Sequence, residues 1–155
     1  MKILVTGSYG QLGRSLFNHL NSNIEIFWTG RNIPFDGNGF YLDICDRINL
    51  KELISLNEPD IIINLAALTN VDFCEKNSDL AREINTNGVR NICDAFKGKI
   101  VQLSTDYVFD GKNGPYLEED EVFPLSVYGK TKLEAEKIVT SHNSDNLIIR
   151  GNVLY

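Results

Sequence analysis

Positive charge is scarce in this sequence, where Lys and Arg number 15 against 21 Asp and Glu and leave a formal net charge of -6. A chain this acidic offers no basic face to neutralise a phosphate backbone or an anionic membrane surface, so neither nucleic acid nor membrane is an expected partner. Long apolar runs are missing as well. Nothing approaches the roughly 20 residues of a membrane span, and Met1-Lys2-Ile3-Leu4-Val5 is too short for the apolar region of a signal peptide. The expectation is a soluble, cytoplasmic protein. Cys45, Cys74 and Cys93 are odd in number and lack the spacing of a zinc site or a disulfide framework, which leaves them as small buried apolar residues. His19 and His142 have no companion ligands at metal spacing and read as solvated positions.

What is present is material for one core: 155 residues, 43% of them hydrophobic, suit a single domain. Apolar runs alternate with amphipathic stretches. Ile3 to Val5 forms a first strand, and Leu12, Leu16 and Leu20 mark the inner face of a first helix. A second strand covers Ile24 to Trp28, with Trp28 packing on the sheet, and a short third strand covers Phe40 to Leu42. Leu50, Leu53 and Ile54 place a second helix that stops before Pro59. The fully apolar Ile61-Ile62-Ile63 suits a parallel strand covered on both faces. Ser78 or Asp79 caps a helix whose inner face is Ala81, Ile84, Val89, Ile92 and Phe96, with Gly98 as a left-handed stop. Ile100 to Leu103 is a fifth strand. A long loop, with the acidic run Glu118 to Glu121 solvated within it, leads to a helix from Ser126 to Val139, and Leu147 to Ile149 is a sixth strand. Such alternation predicts an α/β, doubly wound parallel sheet of Rossmann type, with six strands in the order 3-2-1-4-5-6. Its ligand crevice opens where the order reverses, so the residues just after Val5, Trp28, Leu42, Asn64 and Ser104 face it.

The first of these turns is Thr6-Gly7-Ser8-Tyr9-Gly10-Gln11-Leu12-Gly13, between strand and helix. Gly7 permits a sharp turn, Gly10 lets backbone approach a pyrophosphate, and Gly13 lets the helix pack close, while the helix N-terminus offers free N–H groups to phosphate. That context makes a dinucleotide the expected ligand. After the second strand stands Trp28-Thr29-Gly30-Arg31-Asn32, without the carboxylate that holds a ribose 2'-hydroxyl. Arg31 can pair with a 2'-phosphate or be a solvated loop residue, and NADP(H) is preferred over NAD(H). Asp43 can accept from the adenine amino group or cap a turn.

Farther along, Tyr128 and Lys132 lie four apart on one helix face, after a strand end rich in hydroxyls, Ser104-Thr105-Asp106. With the glycine turn and Asn64-Leu65-Ala66-Ala67 in the same order, the sequence resembles the extended, sugar-nucleotide branch of the short-chain dehydrogenase/reductase superfamily. Within it, the segments 104–111 (STDYVFDG) and 127–137 (VYGKTKLEAEK), together with Val71-Asp72, Glu75 and Ile84-Asn85, resemble the dTDP-4-dehydrorhamnose reductase family most. The resemblance implies NADP(H)-dependent reduction of a 4-keto nucleotide-sugar. Tyr128 would supply the proton, Lys132 would tune it and bind ribose, and Thr105 would hold the substrate oxygen, with Ser104 as the lesser candidate. Cofactor contacts are implied at Gly7, Tyr9, Gly10, Gln11, Leu12, Gly13, Arg31, Asp43, Ile44, Ala66, Ala67, Asn85, Tyr128 and Lys132, with Asn85 also ordering a proton-relay water.

Lys132 and the cationic nicotinamide are expected to favour tyrosinate. The family has roughly twice as many residues, so residues 1–155 correspond to its dinucleotide-binding domain and the substrate domain lies outside this chain; a homodimer is compatible with the resemblance. Arg150-Gly151-Asn152-Val153-Leu154-Tyr155 departs from the family's Arg-Thr-Ser-Trp. Two other functions fit the same motifs: a non-catalytic NADP-binding regulatory subunit, like the beta subunit of methionine adenosyltransferase, and a nucleotide-sugar epimerase.

Overall fold

A computed structural model describes residues 1–19, 24–33 and 39–152. Its six strands are β1 (Lys2–Thr6), β2 (Glu25–Gly30), β3 (Phe40–Tyr41), β4 (Ile61–Asn64), β5 (Lys99–Thr105) and β6 (Leu147–Gly151). They form one parallel sheet in the order β3-β2-β1-β4-β5-β6. The reversal therefore falls between β1 and β4, as alternating strands and helices predict. Leu20 and Val153 to Tyr155, used in the sequence reading, lie outside the described residues.

One face of the sheet holds the core. Leu4, Ile62 and Ile100 stand side by side across β1, β4 and β5, and all three are fully buried. The helices α2 (Arg47–Asn57), α5 (Gly88–Ala95) and α6 (Val127–His142) supply Leu50, Ile54, Val89, Ile92, Ala135 and Val139 to the same cluster. The first helix, α1 (Gln11–His19), crosses on Gly13, its one buried residue. Trp28 meets Phe17 edge to face, with ring centroids 5.1 Å apart.

Helix boundaries follow from local chemistry. Asp46 caps α2 by accepting from the amides of Ile48 and Asn49, and Glu58 ends it in a left-handed conformation just before Pro59. Two expectations fail on the next stretch. A separate short helix, α3 (Val71–Lys76), forms where none is predicted, started by the Asn70 side chain accepting from Phe73. Residues 78–95, expected as a single α-helix, contain a π segment, Glu83–Asn87, between α4 (Ser78–Arg82) and α5. The reason is visible in the spacing of the inner face. From Ile84 to Val89 the step is too wide for a 3.6-residue repeat, and one extra residue in the turn restores both to the core. Neither Ser78 nor Asp79 is the cap; Asn77 precedes the helix and makes no side-chain cap bond. Gly98 is no left-handed stop, because the helix ends with Phe96 turning into extended backbone. His142 is less solvated than expected, since its ring nitrogen Nε2 lies 3.0 Å from that residue's carbonyl oxygen. Cys74 and Cys93 are buried as anticipated, while Cys45 is partly exposed.

Gly13 tests the packing. A Cβ there would overlap the backbone of Ser8, which cannot move without displacing the turn. Gly13→Ala is therefore expected to lower stability by about 1–3 kcal/mol, despite alanine's advantage of about 1 kcal/mol in a helix. Urea unfolding measures this, with Gly10→Ala as the comparison, whose Cβ would meet only the Gly7 carbonyl, at 3.4 Å.

Candidate functional site

The strand ends at the reversal are joined by buried polar side chains. Thr6 donates to Asn64, Asn64 donates to Gln102 at 2.7 Å, and Gln102 donates to the Leu103 carbonyl at 2.8 Å. Beyond this row the glycine turn begins with Gly7 at φ 66°, a conformation that favours glycine. A side chain is excluded on a second ground, since its Cβ would lie 2.6 Å from the Ala66 nitrogen. Ser8, which sequence reasoning passed over, fastens the turn to β2: its hydroxyl donates to the Val5 carbonyl at 2.7 Å and accepts from the Thr29 amide at 3.0 Å.

A cleft of about 1110 Å³ runs across this end of the sheet. Gly7, Tyr9, Gly10, Gln11, Leu12 and Gly13 line it at the glycine turn, Arg31, Asp43 and Ile44 at the β2 and β3 end, Ala66 and Ala67 after β4, and Thr105 and Tyr128 at the far end. Ile63, Val101, Leu103 and Ile149 form an apolar floor from three neighbouring strands. At the β3 end, Asp43 accepts from the Cys45 amide at 2.9 Å, and its other oxygen lies 3.8 Å from Arg31. The carboxylate thus caps a turn and faces the guanidinium. Burial, reinforced by the charges of Asp43 and Glu83, pushes the Cys45 thiol up to about 12, so it stays protonated.

Two residues expected at the cofactor stand behind the wall of the cleft. Asn85, in the π segment, accepts from the Leu68 amide at 2.8 Å and donates to the Leu68 carbonyl and to Thr131. It holds the loop after β4 against α6. Lys132 is 3% exposed and donates to the Leu103 carbonyl at 2.6 Å; burial pulls its ammonium down to about 8, opposed by Glu136.

Tyr128 is half-buried beside Tyr107, with ring centroids 5.8 Å apart. Burial raises its phenol above the ordinary value, the Thr105 hydroxyl lowers it, and Cys74, Asp106 and Tyr107 raise it. In the cofactor-free protein desolvation thus disfavours the anion, with the Lys132 ammonium directed to the Leu103 carbonyl. Ser126 caps α6 by accepting from the Gly129 amide at 3.0 Å, and Glu75 of α3 accepts from the Val127 amide at 2.6 Å. Glu75 was legible only as part of a motif, not as the brace at the start of this helix. Ser104 is buried, and its hydroxyl has no hydrogen-bond partner among the described residues.

The family model described as the RmlD substrate binding domain matches residues 1–155. A dTDP-4-dehydrorhamnose reductase of Sinorhizobium fredii is 38% identical over 159 residues, covering 100% of this chain and 51% of the relative. The methionine adenosyltransferase 2 subunit beta of Bos taurus is 33% identical over 165 residues, covering 99% of this chain and 47% of the relative. Among solved structures, a Bacillus anthracis dTDP-4-dehydrorhamnose reductase in complex with NADP superposes with a TM-score of 0.90 at 34% identity, covering 99% of this chain and 54% of that one. The chain spans about half the length of the curated relatives it matches. No helix among the described residues is long and apolar enough to cross a membrane.

The buried lysine makes stability depend on pH. Its ammonium titrates near 8 in the folded chain and near 10.5 when unfolded. Between those values the unfolded chain binds the extra proton, so stability rises with pH across that window and is lost as pH falls back through 8. A depression of this size corresponds to about 3 kcal/mol. Urea unfolding of wild type and Lys132→Met from pH 7 to pH 10.5 is expected to show wild type gaining on the variant by that order; parallel profiles would show that Lys132 is not depressed.

Proposed function

The chain belongs to the RmlD substrate binding domain family, and from that premise we propose that it is the nucleotide-binding half of an NADP(H)-dependent reductase. Its substrate in this reading is a 4-keto nucleotide-sugar, dTDP-4-dehydrorhamnose, reduced to dTDP-L-rhamnose. One observation carries the reading: a single cleft joins the glycine turn to Thr105 and Tyr128 over an apolar floor.

The residues fit a dinucleotide. Gly10 has no side chain where a pyrophosphate needs close backbone approach, the N-terminus of α1 lines the cleft with the positive end of its dipole, and Arg31 stands at the β2 end for a 2'-phosphate. The bound nicotinamide would supply hydride. Tyr128 holds a proton at Oη, and its raised pKa keeps it protonated until a substrate oxygen gains negative charge. Thr105, adjacent to that phenol, positions the same oxygen by hydrogen bonding. Lys132 serves the ribose by turning its ammonium from the Leu103 carbonyl. A second reading, an NADP-binding regulatory subunit, draws support from the similarity to methionine adenosyltransferase 2 subunit beta.

Titration calorimetry with NADPH and NADH tests cofactor choice. NADPH is expected to bind more tightly, Arg31→Ala to erase the difference, and Gly10→Val to abolish binding while circular dichroism stays native; equal affinities in wild type would sink the NADP assignment. The catalytic test requires these residues joined to a second half like that of the related reductases. There, Tyr128→Phe is expected to bind NADPH normally but to slow its single-turnover oxidation by a 4-keto nucleotide-sugar by roughly 100- to 10,000-fold. Absence of NADPH oxidation in that wild-type protein would favour the regulatory reading.

A further inference from the structure

One turn beyond Lys132 stands an ion pair, buried on its carboxylate side, that the proposed chemistry does not use. Glu136, one turn farther along α6 and 5% exposed, accepts from Arg150 of β6 through both oxygens, at 3.0 Å from Nε and 2.8 Å from Nη2. The third guanidinium nitrogen donates to the Glu118 carbonyl at 3.0 Å, and the group lies over the Phe109 ring, 5.1 Å from its centroid. Arg150 is thereby fixed on β6, on α6 and on the loop between β5 and α6.

Lys132 and Glu136 occupy positions i and i+4 of one helix, the spacing at which such side chains ordinarily pair. Here they do not, for the ammonium goes to the Leu103 carbonyl on β5 at 2.6 Å. We propose that Arg150 and Glu136 are positioning residues for Lys132: by occupying both oxygens of Glu136, Arg150 leaves the ammonium on the strand that floors the cleft instead of closing an ion pair down its own helix. The importance of that position rests on Lys132 serving the cofactor site.

The balance of charge supports the assignment. Glu136 is close enough to favour the ammonium against its burial, and in a poorly screened interior an unshared carboxylate would hold it far more strongly. The other elements around Lys132 offer little competition. Leu103, Ser104 and Thr105 on β5 present a carbonyl and hydroxyls, Asn85 and Thr86 in the π segment are uncharged, and Tyr128 one turn back is a protonated phenol. The Arg82–Glu134 pair lies on the exposed flank of α6, and Asp106 follows the end of β5. The bidentate Arg150 grip therefore decides how much of the Glu136 charge reaches the lysine.

The experiment is titration of the Lys132 side chain by NMR in the cofactor-free chain, with ¹³C,¹⁵N-labelled lysine and Lys132→Met for assignment. Wild type should titrate near 8. Arg150→Met is expected to raise the midpoint by about one pH unit, a tenfold gain in proton affinity, because Glu136 is released to the lysine. Glu136→Gln, and Glu136→Gln with Arg150→Met, are expected to lower it below wild type. Removing one member of the pair is destabilising, whereas the double variant removes both and leaves Lys132 with no carboxylate one turn away. If Arg150→Met loses native circular dichroism, the double variant decides: an unchanged midpoint there overturns the proposal, as does a fall or no change in a folded Arg150→Met. NADPH affinity separates this from the cofactor reading. Arg150→Met should weaken binding about tenfold in wild type and not at all in a Lys132→Met background, whereas a wild-type chain that binds no NADPH refutes the cofactor reading and leaves the titration to judge the positioning.

Discussion

The row of polar side chains from Thr6 through Asn64 to Gln102 is the constraint on which the site depends. All three are essentially removed from solvent, so each must find its partner within the sheet or leave a costly unsatisfied group. The bonds are made only if β1, β4 and β5 keep their register, which sets Thr6 beside Asn64 and Asn64 beside Gln102. That register brings Gly7 against the Ala66 backbone, and Asn64 also accepts from the Ala66 amide at 3.2 Å. The two loops at the topological switch are therefore set relative to each other before any ligand arrives.

The ends of the cleft differ in stiffness. Arg31 and Asp43 face each other at 3.8 Å with the arginine more than half exposed, a contact that solvent screens and that holds neither side chain firmly. Behind the wall at the opposite end Lys132 and Glu136 are buried, and Arg150, partly exposed, is held by directed bonds to both Glu136 oxygens. The protein thus keeps a loosely held contact beside the ends of β2 and β3 and a directed one behind the wall at β5. Preorganised charge is most effective in such a dry setting.

Much of this was legible in the amino-acid order. Strand–helix alternation gave the sheet order because parallel crossovers allow few topologies, and the glycines between β1 and α1 marked the turn because their backbone requirements are local. The hidden features depend on contacts across the chain. Nothing near Ser8 announces that its hydroxyl ties the turn to β2, and the helix spacing of Tyr128 and Lys132 says nothing about which way a long side chain reaches. Arg150 and Glu136 come from different elements, so no periodicity links them. The π segment lies between these cases, for the wide step from Ile84 to Val89 stands in the sequence, within a stripe that otherwise suits an α-helix.

That segment also limits how the chain can vary in length. It places one surplus residue in the helix turn that carries Asn85, and the polypeptide on either side is in α-helical conformation. Loss of a single residue between positions 83 and 87 would leave a regular α-helix, lawful by every local rule. With Ile84 and Val89 then four apart, Val89 and Ile92 would keep their place on the sheet, and what would be lost is the wide turn that holds Asn85 against Leu68 and Thr131. A one-residue deletion in this turn would therefore leave the helix seated on the sheet and mark a protein whose loop after β4 is held by some other contact than Asn85.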